Sequence, residues 1–192
     1  IIPASTEKKS LVVNGMSSSN RGSAFANSGI VVSINPQDVK EYSKQPALSL
    51  MKFQQECEQK IYIHNQTSPA QRISDFIRNK PSNNINATSY PSGLQACNMN
   101  DYLPRIIAEH LKEGFKVFDR RIKGFISNQA TMIGLESRTS SPVRILRDKD
   151  SLQHPQLTML FPCGEGAGYA GGITSSAIDG VNAAEKISQI LK

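Results

Sequence analysis

Tryptophan is absent from the 192-residue sequence, and phenylalanine and tyrosine bring the aromatic content to only 6%. Proteins that bind single-stranded nucleic acid stack bases on aromatic rings and concentrate basic residues in one groove. Here the 22 lysines and arginines are scattered along the chain, although they outnumber the 16 acidic residues and give a net charge of +6. The composition therefore argues against nucleic-acid binding, and the charge indicates a solvated basic surface that faces an absent acidic partner segment.

Cysteine and histidine are also scarce, with three residues of each type. Cys57, Cys97 and Cys163 lack C-x-x-C spacing and the histidines are dispersed, so the sequence predicts neither a disulfide framework nor a metal site. No run approaches the roughly 18 apolar residues of a membrane span, and no charged-then-apolar signal segment is present. We therefore expect a reducing, cytoplasmic compartment and no membrane partner.

Glycine, by contrast, is concentrated near the end of the sequence. An apolar run from Leu157 enters the glycine cluster 164–172, and the residues from Ile173 onward have a helical pattern. Glycine lets the backbone approach a ligand and take positive φ, and the free N–H groups of a first helical turn attract anionic oxygens. The order of strand, glycine loop and helix predicts a nucleotide-cofactor site, with Glu165 as the one acid in the loop.

The glycine cluster contains a G-x-G-x-x-G match, from Gly166 to Gly171, which is typical of the start of a Rossmann domain. Such a fingerprint is followed by a second parallel strand with a ribose-binding acid roughly 20 residues on. The nearest acid at that distance, Glu185, falls within the helix. We therefore predict that the loop closes a nucleotide-binding domain instead of opening one.

Several segments occur in the order found in one flavoprotein family. The sequence from Phe161 to Gly180 resembles the C-terminal flavin motif of uncharacterised FAD-dependent dehydrogenases, which are related to flavoproteins with two dinucleotide-binding domains. The segments that resemble further blocks of that family are Leu11–Ser17, Ala26–Ser28, Pro69–Arg72 and Glu136–Arg147. Family members open with an FAD-binding G-x-G-x-x-G segment, and nothing before Ile1 is present here. The resemblance implies a C-terminal fragment whose partner is its own missing N-terminal half.

The resemblance also implies that FAD binds at the loop in the full-length protein and is absent from the fragment. The implied cofactor contacts are Gly164, Glu165, Gly166, Gly168, Tyr169, Gly171, Gly172 and Ile173. The Glu165 carboxylate would meet the ribityl hydroxyls, or else it is merely exposed or caps the helix. The Tyr169 ring would lie against the flavin or the substrate, or else pack between helix and sheet.

Two arginines near the loop are candidates for substrate binding. Arg138 and Arg144 could bind an anionic substrate or the flavin edge, because guanidinium groups grip carboxylates in two places. The alternative is that both form ordinary ion pairs at strand ends. Cys163 is expected to be a buried strand cysteine, and Asp179 is expected on a solvated or interdomain face of the last helix. No residue is predicted to be a catalytic base.

The periodicity of apolar residues predicts an α/β protein, or α+β for the fragment alone. Strands are expected over 10–14, 29–35, 130–136, 142–147 and 157–163. Helices are expected over 47–63, after a Ser68-Pro69 cap, from Asn100 to Gly114, over 117–122 and from Ile173, with a long loop over 78–98.

The distribution of these elements suggests one domain interrupted by another. Residues 1–37 and 129–192 would be remnants of a Rossmann-like FAD-binding domain, and residues 38–128 would form a helix-rich inserted domain that covers the substrate. Strands 10–14 and 157–163 would then share one sheet. Together with the resemblance, this predicts part of an FAD-dependent oxidoreductase, a dehydrogenase acting on an unidentified small molecule, with the fragment alone inactive. The alternative is a complete, non-catalytic nucleotide- or phosphate-binding module.

Overall fold

The structure is a computed structural model that describes residues 1–191, and the chain forms two compact units. The first unit comprises Ile1–Ile34 and Gln54–Ser137, and the second comprises Asn35–Phe53 and the residues from Arg138 onward. In chain order the main elements are β1 (Ile2–Pro3), β2 (Val13–Asn14), α1 (Ser49–Lys60), β3 (Ser68–Arg72), α2 (Ile73–Ile77), β4 (Leu94–Ala96), α3 (Arg105–Arg121), β5 (Thr131–Ile133) and α4 (Ile173–Ile190). Short 3-10 helices cover Pro36–Tyr42, Pro46–Leu48 and Met99–Asp101.

A three-stranded mixed sheet organises the first unit. The central strand β3 pairs with β4 in parallel and with β5 in antiparallel orientation. Ala70 lies opposite Ala96 on one side and opposite Ile133 on the other. Strands β1 and β2 form a separate antiparallel pair. Parallel pairing needs a crossover between strands, and residues 73–93, which include α2, supply it here.

The core of the first unit lies where this sheet meets α2 and α3. Its buried apolar residues are Leu11, Val13, Ile61, Ile73, Phe76, Tyr90, Met99, Leu103, Ala108, Leu111 and Phe115. The Phe76 and Phe115 rings meet edge to face with centroids 6.1 Å apart, an arrangement that adds to the stabilisation from area burial. Helix α3 contributes three of these residues at helical spacing, so its apolar face is fixed against the core.

Gln71 is a fully buried polar residue at the centre of the sheet, and its amide is bonded at both ends. Its Oε1 accepts from the Met99 backbone N–H at 2.8 Å, and its Nε2 donates to the Lys80 carbonyl at 2.6 Å. A buried amide is costly unless it is hydrogen-bonded. These two bonds therefore hold the segments that follow α2 and β4 against the central strand.

The second unit contains α4 and a series of irregular segments. Residues 142–147 run beside the glycine loop, where the Ile145 N–H donates to the Ala167 carbonyl at 3.2 Å. Ala183 is the buried residue of α4. Several apolar side chains of this unit are instead exposed, including Ile178 at 56% and Val181 at 58%. Exposed apolar surface on neighbouring positions of one helix is typical of an interaction face.

The mixture of helices and small mixed sheets confirms the predicted fold class. Helix α1 and helix α4 lie where the sequence predicts them. The predicted domain boundaries, near residues 37 and 128, concern the FAD-binding domain of a complete protein and stay a prediction. The two compact units described above divide the chain at residues 34, 53 and 137.

Several predictions about individual segments are wrong. Residues 142–147 and 157–163 form no strand, and strands 10–14 and 157–163 share no sheet, because these segments belong to different units. A strand needs a ladder of backbone hydrogen bonds to a neighbouring segment, and the backbone bond between residues 142–147 and the glycine loop is the one from Ile145 to Ala167. Of residues 10–14 only Val13–Asn14 are a strand, and residues 29–35 form none.

The Ser68-Pro69 pair does not cap a helix but begins the central strand, and Arg72 is the residue that precedes α2. Helix α3 passes through Gly114 without ending, and continues to Arg121. A glycine inside a helix costs only about 1 kcal/mol, which the burial of Phe115 outweighs. The predicted loop 78–98 contains strand β4, which the neighbouring β3 stabilises.

Candidate functional site

The glycine loop 164–172 is a closed turn that leads into α4. The Tyr169 N–H donates to the Gly164 carbonyl at 3.0 Å, and the Gly168 N–H donates to the Glu165 carbonyl at 2.9 Å. Gly164 and Gly168 have φ angles of +75° and +84°, in the left-handed region that favours glycine. Two of the predicted glycines are therefore required by the backbone conformation itself.

Most glycines of the loop, including Gly164, have open space beside them. A Cβ built on Gly164, Gly166 or Gly171 would meet no atom within 4 Å, and one on Gly172 would meet only Ser175 Oγ at 4.0 Å. Gly168 differs, because a Cβ there would lie 2.7 Å from the Val143 carbonyl oxygen. The loop thus has one glycine that packs against the protein and four whose surfaces are free to approach another group.

Helix α4 begins directly after the loop, and no side chain caps its first turn. Gly172 is the residue before the helix, and its extended backbone provides no side-chain acceptor. Ile173 is 93% exposed, so the start of the helix is accessible. The first N–H groups of a helix have no partner within the helix and carry partial positive charge. This end of α4 can therefore accept an anionic or electron-rich group.

Asp179 connects the helix to the loop. Its Oδ2 accepts from the Gly164 N–H at 2.8 Å, and its carboxylate pairs with Arg147 through Nη2–Oδ1 at 2.7 Å and Nη1–Oδ2 at 3.0 Å. Both side chains are largely buried, with 11% of Arg147 and 13% of Asp179 exposed. The hydrogen bonds from Arg147, and then the one from Gly164, lower the pKa of the Asp179 carboxyl, and the Asp179 carboxylate raises the pKa of Arg147.

Two arginine side chains contact the Tyr169 ring. The Arg147 guanidinium carbon is 3.7 Å from the ring centroid, and that of Arg144 is 5.0 Å from it. The Tyr169 hydroxyl donates to the Ile145 carbonyl at 3.0 Å. Cations over an aromatic face are attracted to its electron-rich ring. One element of the predicted site, Tyr169, is thus fixed by its neighbours, while its contact with flavin or substrate stays a prediction.

Of the two arginines predicted to bind an anion, Arg144 lies beside the loop. Its Nε donates to the Gly168 carbonyl at 3.0 Å, and its side chain is exposed. Arg138 is exposed at the start of the 138–191 segment. The Glu165 side chain is exposed as well, on the same turn as the open glycines. The roles of these three side chains in ligand binding stay predictions.

The expectation for Cys163 is wrong, and the one for Asp179 is wrong in part. Cys163 is exposed and lies on no strand, because the apolar run before it has no partner strand in the described part of the chain. Of the two positions expected for Asp179, the structure contradicts the solvated face, because Arg147 and Gly164 enclose the carboxylate, while the interdomain face stays a prediction. Asp179 is seven residues, or two helical turns, beyond Gly172, the residue that precedes α4, so the sequence places its side chain on the side of the helix where the loop ends. The loop folds back over that face, which the distance along the helix alone does not indicate.

Within residues 1–191, no group of three or more histidine, cysteine, aspartate or glutamate side chains lies close enough to hold a metal ion. Among the helices that the structure describes, none has the length and apolar character needed to cross a membrane.

Comparison with known proteins places the chain in a family. A family model described as FAD-dependent protein, C-terminal domain-like, matches residues 1–139, and the glycine loop lies beyond that match. An uncharacterized protein of Clostridium beijerinckii is 37% identical over 189 residues, which cover 97% of this chain and 35% of the relative. The chain thus spans about a third of the length of the curated relative that it matches. Because the family model covers well over half of the sequence, the chain belongs to the FAD-dependent protein, C-terminal domain-like family.

Proposed function

We propose that the chain is part of an FAD-dependent oxidoreductase of the dehydrogenase type, and that its glycine loop and the start of α4 contact the flavin. The observation that carries the proposal is the open surface of Gly164, Gly166, Gly171 and Gly172 directly before an uncapped helix. Membership of an FAD-dependent family supports FAD as the cofactor. This support does not rest on the loop, because the family match ends at residue 139, before the loop begins.

The residues of the loop suit the chemical groups of a flavin. Backbone N–H groups at Ile173 and the following residues would bind the electron-rich pyrimidine edge, where negative charge develops on reduction. The Glu165 carboxylate would accept hydrogen bonds from the ribityl hydroxyls. Bound FAD would carry the electrons, while the protein supplies orientation and electrostatic stabilisation. Arg144, and Arg138 with it, would attract an anionic substrate or the flavin edge.

The loop would supply only part of the cofactor contacts. The curated relative extends well beyond the matched region, and we propose that an N-terminal half with its own G-x-G-x-x-G segment binds the ADP portion of FAD. The exposed apolar side chains of α4, Ile178 and Val181, would be covered by that half. A partial site poorly offsets the freedom that a ligand loses on binding, so the 192-residue chain should bind FAD weakly and be inactive. Tight stoichiometric binding of FAD by this chain in calorimetry would contradict the proposal that the FAD site is shared with an N-terminal half.

The full-length protein provides the direct test. We expect it to purify with flavin that is visible by its absorbance, and we expect Gly172→Leu to lower the flavin-to-protein ratio strongly. The change places a side chain between the helix N–H groups and the cofactor. Gly114→Leu is the matched control, because it makes the same change on α3 at a site with no neighbour within 4 Å of a built Cβ. Equal flavin content in the two variants would rule out contact at Gly172.

Glu165→Ala should have a smaller effect than Gly172→Leu. It removes only hydrogen bonds to hydroxyls, each worth about 0.5–1.5 kcal/mol, or up to about 3 kcal/mol for a charged acceptor. The second candidate function, a non-catalytic nucleotide- or phosphate-binding module, rests on the same uncapped helix start, which suits any phosphate. A full-length protein that contains no flavin but binds ATP or ADP at the loop would favour that module instead.

A further inference from the structure

The loop over residues 16–27 in the first unit forms a cavity that is open to solvent, with all of its lining residues exposed, and this cavity has no part in the flavin proposal. Its volume is about 340 Å³, and the residues that line it include Met16, Ser17, Arg21, Ser23, Phe25 and Asn27. Sites for small molecules have volumes of about 300–1,000 Å³. The cavity is therefore large enough for a small organic molecule.

The loop around the cavity is built by its own side chains. Asn20 Oδ1 accepts from the Ser18 hydroxyl at 2.6 Å and from the Gly22 N–H at 3.1 Å. The Arg21 N–H donates to the Ser18 carbonyl at 2.9 Å, and Arg21 itself has a φ of +51°. Arginine rarely takes such a left-handed conformation, and holding the residue in it costs on the order of 1–3 kcal/mol. The turn thus holds an arginine where glycine or asparagine would be less strained.

The base of the loop is fixed by Asn27. Its Nδ2 donates to the Met16 carbonyl at 3.3 Å. A Cβ on Gly15 would lie 2.5 Å from Asn27 Oδ1, so a larger residue there would displace the Asn27 side chain from its bond to Met16. Asn27 therefore joins the two ends of the segment that forms the cavity.

The chemistry of the lining points to a particular class of ligand. Arg21 is a cation, and no aspartate or glutamate is among the lining residues. The hydroxyls of Ser17 and Ser23 can donate hydrogen bonds. Met16 and Phe25 are 57% and 43% exposed, which leaves apolar surface available next to the charged group. A guanidinium group pairs with a carboxylate through two parallel hydrogen bonds.

From this combination we propose that the cavity binds a small organic carboxylate. Arg21 pairs with the carboxylate, and Met16 and Phe25 contact the apolar part of the ligand. The proposal does not depend on the flavin proposal, because it uses no residue of the glycine loop or of α4.

Benzoate is a suitable probe, and its neutral isostere benzamide is the matched control ligand. In ligand-observed NMR titrations of the 192-residue chain at low salt, benzoate should bind saturably. Benzamide should bind at least about tenfold more weakly, since it lacks the charge that strengthens the hydrogen bonds to Arg21. Non-saturable binding of benzoate, or equal binding of both compounds, would overturn the proposal.

Arg21→Asn separates the side chain from the loop conformation, because asparagine adopts the left-handed region more readily than arginine does. We expect this variant to weaken benzoate binding at least about tenfold. Arg121→Asn removes the same charge from an exposed position at the end of α3, and benzoate affinity should stay within about twofold of the unmodified chain. Circular dichroism checks that both variants fold. The proposal fails if Arg21→Asn binds as the unmodified chain does, or if Arg121→Asn loses as much affinity.

Discussion

Arg147 and Asp179 form a two-point ion pair although 32 residues separate them in the sequence, with N–O distances of 2.7 and 3.0 Å. The same carboxylate accepts the Gly164 N–H, and the same guanidinium donates to the Pro162 carbonyl at 2.8 Å. The pair thus joins α4 to the backbone at both sides of Cys163, at the point where the glycine loop begins. The position of the loop relative to the start of α4 depends on these two side chains.

Breaking this pair should destabilise the chain. Asp179→Ala removes the hydrogen bonds to Arg147 and to Gly164 and leaves a largely buried guanidinium without its carboxylate. We expect the free energy of unfolding, measured by urea denaturation, to fall by about 1–3 kcal/mol. Asp179→Asn should lose less, because its side-chain oxygen can still accept the Gly164 N–H.

An exposed ion pair on α3 provides the control. Arg105 Nε lies 2.6 Å from Glu109 Oε1, but the two side chains are 91% and 57% exposed. Such pairs contribute little because water screens them. Glu109→Ala should therefore change stability much less than Asp179→Ala does. Equal losses in the two variants would show that the Arg147–Asp179 pair has no special role.

The same pair should make stability depend on pH. Arg147 and the Gly164 N–H lower the pKa of Asp179 in the folded chain below its value of about 3.9 in the unfolded chain. The stabilisation is therefore complete well above the unfolded pKa and is lost as the pH falls through the folded pKa. The stability difference between the unmodified chain and Asp179→Asn should be constant near neutral pH and narrow below about pH 4. A difference that stays constant down to about pH 2 would contradict this origin of the effect.

The corrected position of Asp179 also changes what is expected for flavin binding in the full-length protein. A residue on a solvated face would be the least sensitive position of the site. Since Asp179 holds Gly164 in place, Asp179→Ala should lower the flavin-to-protein ratio by displacing the loop, and Arg147→Gln should lower it as well. Retention equal to that of the unmodified protein in both variants would show that the loop keeps its conformation without the pair.

The sequence predicts features that depend on local pattern and misses those that depend on distant partners. The helix from Ile173 follows from local periodicity and a glycine start, and the structure confirms it. A Ser-Pro pair predicts the start of a helix at Pro69 by local rules, which cannot show that β4 and β5 lie on either side of this segment and make it a strand. Glycine likewise predicts the end of a helix at Gly114. The helix continues because Phe115 is buried in the core, a tertiary effect that local rules do not include. The contact between Asp179 and Gly164 was missed for the same reason.

Thiol reactivity tests the burial of the three cysteines. Burial is the main cause that raises the pKa of Cys57 to about 12 and that of Cys97 to about 11, whereas Cys163 is exposed. The thiolate is the reactive form, so iodoacetamide at about pH 8 should alkylate Cys163 first. Peptide mapping by mass spectrometry would identify the order, and all three should react in urea. Native alkylation of Cys57 as fast as that of Cys163 would be inconsistent with the packing of α1.

Gly168 should be the least replaceable glycine of the loop for the stability of the chain itself. An added Cβ would lie 2.7 Å from the Val143 carbonyl oxygen and 3.1 Å from Arg144 Cα, and the φ of +84° is unfavourable for alanine. The contacting atoms are backbone, so they cannot rotate away as a flexible side chain would. Backbone strain and overpacking each cost about 1–3 kcal/mol, and we expect Gly168→Ala to destabilise the chain by about 2–4 kcal/mol in urea denaturation.

Gly166→Ala provides the comparison, because a Cβ at Gly166 would meet nothing within 4 Å. Its stability should stay close to that of the unmodified chain, since alanine also reduces the freedom of the unfolded state. In the full-length protein the two changes should differ in a second way. Gly168→Ala would reduce flavin retention together with stability, because the loop would have to move. Gly166→Ala would affect retention, if at all, without a loss of stability, because its added methyl group points into the open space where we place the cofactor. Equal stability of the two variants would mean that the loop does not pack against residues 143 and 144 as the structure describes.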